Sequence, residues 1–290
     1  MSETVTTLLE RLDLERLDRD LFRGFSPDDG RPRVFGGQVA AQALVAMVRT
    51  IDDRFVHSLH GYFLRPGDPK IPIIYEVDRI RDGRSFTTRR VVAIQNGEAI
   101  FNMAASFQTA DDQFDFQVDM PDVPPPESVP SNAERLREAA ERTNHPILRK
   151  LQNFERPLVI HDLNPTDPLE PTIRREPHRV WFKSRSSLPD DPVLHRCVLT
   201  YASDMTLLGA SLSHHALTWF DRDLQVASLD HAIWFHRDFR ADEWLLYVTE
   251  SPSTSGARGL NHGRIFTADG VLCASVVQEN LMRRRSAPKA

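Results

Sequence analysis

Two stretches of this chain repeat one another at long range, and that repeat limits the possible folds more than any other feature. Phe55-Val56-His57-Ser58-Leu59-His60 is echoed by Gln225-Val226-Ala227-Ser228-Leu229-Asp230. Pro72-Ile73-Ile74-Tyr75-Glu76-Val77 is echoed by Trp244-Leu245-Leu246-Tyr247-Val248, and Asn96-Gly97 by Asp269-Gly270. The separations are 228 − 58 = 170, 247 − 75 = 172 and 270 − 97 = 173. Spacing that drifts so little over such a distance reads as two homologous subdomains rather than a short-period solenoid. A duplicated fold needs only one active site, so the positions where the copies differ are where chemistry is sought.

The chain has 290 residues, 40% hydrophobic and 27% charged, which describes a globular protein with a sizeable core. Its net charge of −5 argues against a polyanion partner, and Arg283-Arg284-Arg285 reads as a solvated tail. Cys197 and Cys273 form no C-x-x-C and have no His at zinc spacing, so they are expected as buried reduced thiols. No apolar run reaches the length of a bilayer span. Met1 to Asp13 is acidic without a signal-peptide core, and the terminal Ala-Pro-Lys-Ala is not a peroxisomal address. The expected location is the cytoplasm.

Apolar spacing predicts a short helix over 3–12, a strand over 17–25 and a helix over 38–50. Strands follow over 55–64, 71–80, 84–95 and 98–108, with Asp82-Gly83 and Asn96-Gly97 as hairpin turns. Residues 111–170 break the pattern. Pro121, Pro124, Pro125, Pro126 and Pro130 mark an extended connector laid over the surface. Within it, Ser131 and Glu134 form a capping box for a helix ending near Asn144. The second copy then predicts a strand over 178–186, a helix beginning at 193 or 200 and ending at 213, and strands over 226–236, 243–251, 257–267 and 271–282. A helix across a long antiparallel sheet, built twice, is an α+β architecture. The implied organisation is an N-terminal subdomain (1–110), the connector (111–170) and a C-terminal subdomain (171–290).

Several chemistries lack their motifs. Gly209-Ala210-Ser211-Leu212-Ser213 lacks the closing glycine of a nucleophile elbow and falls in a helix. There is no phosphate loop, no dinucleotide fingerprint and no H-E-x-x-H. No metal or cofactor is expected.

Three polar residues remain in apolar settings. Asp204 is placed at the start or in the first turns of an apolar helix, as a dipole-complementing acid or as a functional carboxylate. Its partner in the first copy falls near Gln38, so the acid distinguishes the copies. Ser228 lies in a strand beside Val226 and Leu229, and Ser58 matches it. Gln278 closes the final apolar strand, with its counterpart near Ser106. Each has a bland reading as an ordinary strand or helix residue.

Longer blocks bring these three together. Val34-Phe35-Gly36-Gly37-Gln38, Phe63-Leu64-Arg65-Pro66-Gly67-Asp68, Ile94-Gln95-Asn96-Gly97 and Ala105-Ser106-Phe107-Gln108 resemble those of the type II acyl-CoA thioesterases. So do Tyr201-Ala202-Ser203-Asp204, Asp230-His231-Ala232-Ile233-Trp234-Phe235-His236-Arg237, Glu243-Trp244-Leu245-Leu246-Tyr247, Ala257-Arg258-Gly259 and Val277-Gln278-Glu279. The resemblance covers almost the whole chain. It implies a double hotdog, in which each half wraps a curved sheet around a helix. It implies hydrolysis of medium- to long-chain fatty acyl-CoA to fatty acid and CoA, without a cofactor, by homo-oligomers that are commonly tetramers. It also carries over a catalytic set of Asp204, Ser228 and Gln278. Many members have Thr where this chain has Ser228, so the hydroxyl is kept and β-branching is lost.

On that reading Asp204 is the general base for a water held by Ser228 and Gln278. The oxyanion donor is either backbone N–H near a helix N-terminus or the Gln278 amide. Arg65, Arg258 and His262 are candidates for the CoA phosphates. Two other readings compete: an acyl-CoA sensor that does not cleave, and a hotdog enoyl-CoA hydratase. The hydratase needs an Asp and a His about five residues apart, whereas His214 is ten beyond Asp204.

Overall fold

The computed structural model describes residues 5–27, 31–111, 113–143, 145–151, 157–167, 169–219, 221 and 223–285. Asn144, where the connector helix was expected to end, and the C-terminal residues 287–290 lie outside them. The first half runs α1 (Val5–Leu12), β1 (Glu15–Asp18), β2 (Leu21–Gly24), α2 (Gly36–Val48), β3 (Phe55–Phe63), β4 (Ile73–Asp82), β5 (Phe86–Gln95) and β6 (Glu98–Gln108). Then come α3 (Asn132–Thr143), α4 (Pro146–Leu151), β7 (Leu158–Asp162), β8 (His178–Ser184) and α5 (Pro192–Ser203). The chain closes with α6 (Gly209–Ser213), β9 (Leu224–Ser228), β10 (Asp230–Phe235), β11 (Leu245–Ser255), β12 (Arg258–Thr267) and β13 (Leu272–Arg284). The single strand expected over 17–25 is two, paired as a hairpin.

All the described strands join one antiparallel sheet in the order β1-β2-β4-β5-β6-β3-β10-β13-β12-β11-β8-β7, with β9 also on β13. The halves meet where β3 pairs with β10, Leu59 opposite Ile233 and His60 opposite Ala232. Strand register fixes how the copies correspond. Tyr75 lies opposite Ala93, and Tyr247 opposite Ile265, so the separation of 247 − 75 = 172 holds across two strands. Val56 lies opposite Phe107 as Ser228 lies opposite Asn280, with 228 − 56 = 172. The first-half counterpart of Ser228 is therefore Val56, not Ser58. By the same register Gln278 corresponds to Ala105 rather than Ser106, since 278 − 105 = 173.

Each half wraps a buried helix. Helix α2 is alanine-rich and buried from Gly37 to Leu44 without a break, because the sheet covers one side and α5 the other. Its polar Gln42 is satisfied: the amide donates to the Arg11 and Phe25 carbonyls, and Tyr75 Oη donates to Gln42 Oε1 at 2.7 Å. The matching Tyr247 donates to the Ser203 carbonyl at the end of α5, 3.1 Å away.

The connector packs on the outer face of the second half. Gln117 bonds the Gly270 carbonyl and the Leu272 N–H, and Trp181 Nε1 donates to the Pro124 carbonyl. Met120 and Val123 cover Trp181, Leu246, Val248 and Phe266. This explains why Leu245 to Thr249 is buried on both faces and loses the two-residue alternation of a half-exposed strand. The Ser131–Glu134 capping box is present, with Glu134 Oε2 accepting from the Ser131 N–H at 2.7 Å. Residues 158–162, in the segment expected as pure connector, form β7 against β8.

Asn96 and Gly97 both adopt positive φ, as their hairpin requires. The β11–β12 hairpin turns at Gly256 and Ala257, with φ of 56° and 62°. A left-handed alanine is strained by its Cβ, so Ala257→Gly should stabilise the fold by about 1 kcal/mol. A urea midpoint that fails to rise, with an unchanged slope, would count against that strain.

Candidate active site

Asp191 and Pro192 start α5. The Asp191 carboxylate accepts from the Val193 N–H at 2.9 Å, and Pro192 occupies the first helical position, where its missing N–H has no partner to lose. The helix is buried from His195 to Ser203 and ends there, so Asp204 is its C-cap. This corrects the expectation of an acid at a helix start aligned with Gln38. The first-half residue at the corresponding helix end is Arg49, the C-cap of α2. A carboxylate at a helix C-terminus gains nothing from that helix's dipole. The relevant dipole belongs to α2, whose N-terminus comes from the other half and carries no side-chain cap.

Gly36 and Gly37 permit this approach. A Cβ on Gly36 would lie 2.8 Å from Asp204 Oδ2, and one on Gly37 would lie 2.5 Å from the Tyr201 carbonyl. The Gly37 N–H faces the Asp204 carboxylate closely enough to favour its ionised form. Asp204 thus sits at the seam between the halves, with the positive end of one central helix against it and the negative end of the other beneath it.

Ser228 and Gln278 converge on one oxygen of this carboxylate. Ser228 Oγ donates to Asp204 Oδ1 at 3.1 Å, and Gln278 Nε2 donates to the same oxygen at 3.2 Å. The second hydrogen of Gln278 Nε2 goes to Ser228 Oγ. Asp204 and Ser228 are partly exposed, whereas Gln278 is fully buried. Burial pushes the Asp204 pKa above its ordinary value. The Ser228 hydroxyl, the Gln278 amide and the Gly37 N–H pull against it without cancelling it. Phe35 and Phe63 supply apolar wall: the Phe63 ring lies as close as 3.0 Å to the position of a Gly36 Cβ, and Phe35 packs edge-on against Tyr201 at 5.0 Å between centroids.

Behind the triad lies a buried polar layer that sequence reasoning did not single out. His231 Nδ1 is 3.1 Å from Gln278 Oε1, and its Nε2 is 2.8 Å from Ser203 Oγ. Asn261 Nδ2 donates to Asn280 Oδ1 at 2.6 Å, and Asn261 Oδ1 accepts from the Ser211 N–H at 3.0 Å. One signal was available: Asn261, Gln278 and Asn280 alternate on paired strands with Gly259 and Gly263, a polar stripe on the inward face. The candidate phosphate contacts do not gather here as free cations. Arg65 pairs with Glu98 at 2.9 Å and Arg258 with Glu279 at 2.7 Å, and His262 lies on β12 opposite Val277. Both cysteines are buried and free, and burial pushes each thiol up to about 12, which removes them as thiolate nucleophiles at neutral pH.

The fold is that of the hotdog proteins. A conserved protein with a hot dog fold from Alicyclobacillus acidocaldarius superposes with a TM-score of 0.75 over 96% of this chain and 98% of its own, at 18% identity, a likeness of fold alone. Two family descriptions match in tandem: "acyl-CoA thioesterase N-terminal domain" over residues 26–108 and "acyl-CoA thioesterase" over residues 148–281. Human acyl-coenzyme A thioesterase 8 is 43% identical across 97% of this chain and 89% of its own. Acyl-CoA thioesterase 2 of Haemophilus influenzae is 39% identical across 98% and 99%. The crystal structure of an acyl-CoA thioesterase II from Mycobacterium marinum is 47% identical, covers 96% and 99%, and gives a TM-score of 0.78. This chain belongs to the type II acyl-CoA thioesterase family, whose members are thioester hydrolases.

Proposed function

We propose that this chain cleaves fatty acyl-CoA of medium to long chain length, by direct attack of a water on the thioester carbonyl with Asp204 as general base. The observation that carries this reading is the convergence of Ser228 and Gln278 on Asp204 Oδ1. A water drawn into that arc meets one ionised acceptor, one hydroxyl and one amide, which is what orienting a nucleophile requires. Its proton passes to Asp204 as its oxygen bonds to the carbonyl carbon. The carbonyl oxygen takes up negative charge, and the backbone N–H of Gly36, at the N-terminus of α2, is the donor we assign to it. Collapse breaks the carbon–sulfur bond, and the leaving thiolate recovers the proton from Asp204. General base assistance of this type contributes about 10²–10⁴ in rate.

The register supports a reading of one site per chain. Where the second half has Ser228 and Gln278, the first has Val56 and Ala105, both buried and apolar. Enoyl-CoA hydration is the poorer reading, because both ring nitrogens of His231 are already engaged, by Gln278 and Ser203. We place the protein in the cytoplasm, where its buried free thiols suit a reducing medium, as a homo-oligomer that we take to be a tetramer. The subdomains we assign are 1–110 and 171–290 with 111–170 between them, the chemistry resting on side chains of the second.

Release of free thiol from acyl-CoA of graded chain length, followed with DTNB, tests the reading. A protein that binds acyl-CoA and releases no thiol would refute it. Ser228→Ala should lower kcat by about 10–10³, because the water loses one of its holders. Rapid quenching of a single turnover, read by mass spectrometry of the intact protein, separates that role from a nucleophilic serine. Direct attack leaves the protein mass unchanged throughout, whereas an acyl-Ser228 intermediate adds the mass of the acyl group until water resolves it.

A further inference from the structure

His231 has no part in the reaction just described, yet it touches the site from behind. It lies on β10 at the seam and is 1% exposed. Its ring bridges Gln278 of β13 and Ser203, the residue before Asp204. Hydrogen-bond bookkeeping at these atoms leaves few choices. Gln278 Nε2 faces the Asp204 carboxylate at 3.2 Å, so the amide nitrogen must be on that side; the flipped amide would set oxygen against oxygen. Gln278 Oε1 therefore faces His231 Nδ1 and can only accept, so Nδ1 carries a proton. Free imidazole side chains favour the other tautomer, so something must hold this one.

The Ser203 hydroxyl is that partner. With Nδ1 protonated and the ring neutral, Nε2 is an acceptor, and Ser203 Oγ donates to it across 2.8 Å. The alternative acceptor for the same hydroxyl is the Thr200 carbonyl at 3.0 Å, which would require Nε2 to donate and the buried ring to be cationic. The groups that face His231 are Gln278, Ser203 and, through space, Asp204 and Asp230; burial disfavours the cation more strongly than these acids favour it.

We infer that His231 is a positioning residue: held as its Nδ1–H tautomer by Ser203, it pins the Gln278 amide in the orientation that presents its two N–H donors to Asp204 and Ser228, the groups that flank the attacking water. Lacking that anchor, the amide can rotate and offer oxygen to the carboxylate, which repels it. This inference rests on the function proposed above and concerns the same site.

Two measurements test it. In protein carrying ¹⁵N-labelled histidine, long-range ¹⁵N–¹H correlation at neutral pH should show one ring protonated at Nδ1 and bare at Nε2, absent from the His231→Asn variant. A His231 ring protonated at Nε2 alone, or at both nitrogens, overturns the inference whatever any variant does. His231→Asn retains a donor close to the Nδ1 position and should keep most of kcat. His231→Leu retains none and should lose up to about 10²-fold in kcat with KM little changed, as for a misplaced catalytic group. A folded His231→Leu enzyme with wild-type kcat also overturns it, as does equal loss in the Asn and Leu variants. If Asp204→Asn retains full activity, the proposed reaction itself is wrong. If Asp204→Asn is dead but His231→Leu is fully active, only the role of His231 is wrong.

Discussion

Asp204→Asn should abolish nearly all turnover while leaving the protein folded, and at neutral pH at least as stable as the parent. The first half of this expectation follows from the base. An amide cannot take the proton of the attacking water, and at the corresponding helix end the first copy has Arg49 in place of an acid. The second half follows from burial. The Asp204 pKa is raised in the native state, chiefly by desolvation, so the native protein holds that proton more tightly than the unfolded chain. Ionisation of Asp204 therefore costs stability as pH rises from the unfolded-state value through the native one, and below both values the cost vanishes. Asparagine carries no such cost. Thermal midpoints measured across pH should show the variant's advantage at neutral pH shrinking toward acid. In the parent, kcat should fall as pH drops through the raised Asp204 pKa, above the ordinary carboxylate range. A variant with wild-type turnover would remove Asp204 from the reaction.

Gln278→Glu should be nearly as damaging, for a different reason. The substitution preserves shape but replaces an N–H donor 3.2 Å from Asp204 Oδ1 with a second acid. Two carboxyl groups at that distance cannot both ionise readily and will share a proton. At pH 7 the pair would hold the proton the base is meant to accept. We expect kcat to fall by about 10–10³ at neutral pH, with the ascending limb of the pH profile moved upward, so that part of the loss is recovered in alkali. A loss that does not vary with pH would show that Gln278 acts through packing alone. Gln278 is fully buried and touches Asp204, Ser228 and His231, so its neutral amide is the piece that joins three polar groups without adding a charge.

Much of the frame was legible in the chain. Tyr75 and Tyr247 sit in matching strands and perform matching tasks, each donating its hydroxyl to the region of its own central helix. Asn96-Gly97 turned where its backbone preference said it would. The errors have local causes. Ser58 and Ser228 stand in similar words, but strand register ties Ser228 to Val56. The apolar run after Asp204 reads as a helix that the acid would start. The true start signal, Asp191-Pro192, lay upstream, and no glycine or proline marks the stop at Ser203. The Gly256-Ala257 turn was missed because alanine does not announce a left-handed backbone. His231 carried no signal of its own, since its partners lie 28 and 47 residues away in sequence.

The edge-to-edge pairing of Phe55–Phe63 with Asp230–Phe235 bears on how such a gene could ever be divided. A cut in the proline-rich stretch would leave each fragment with a raw flank of unsatisfied amides and carbonyls, ready to recruit any stray strand. Each fragment would also hold an incomplete kit, one with the helix that opens on Gly36-Gly37 and the other with the acid. Expressed apart they should precipitate. Mixed while unfolded and then renatured, they should find one another and recover hydrolysis, because the same seam that exposes them also tells them where to dock.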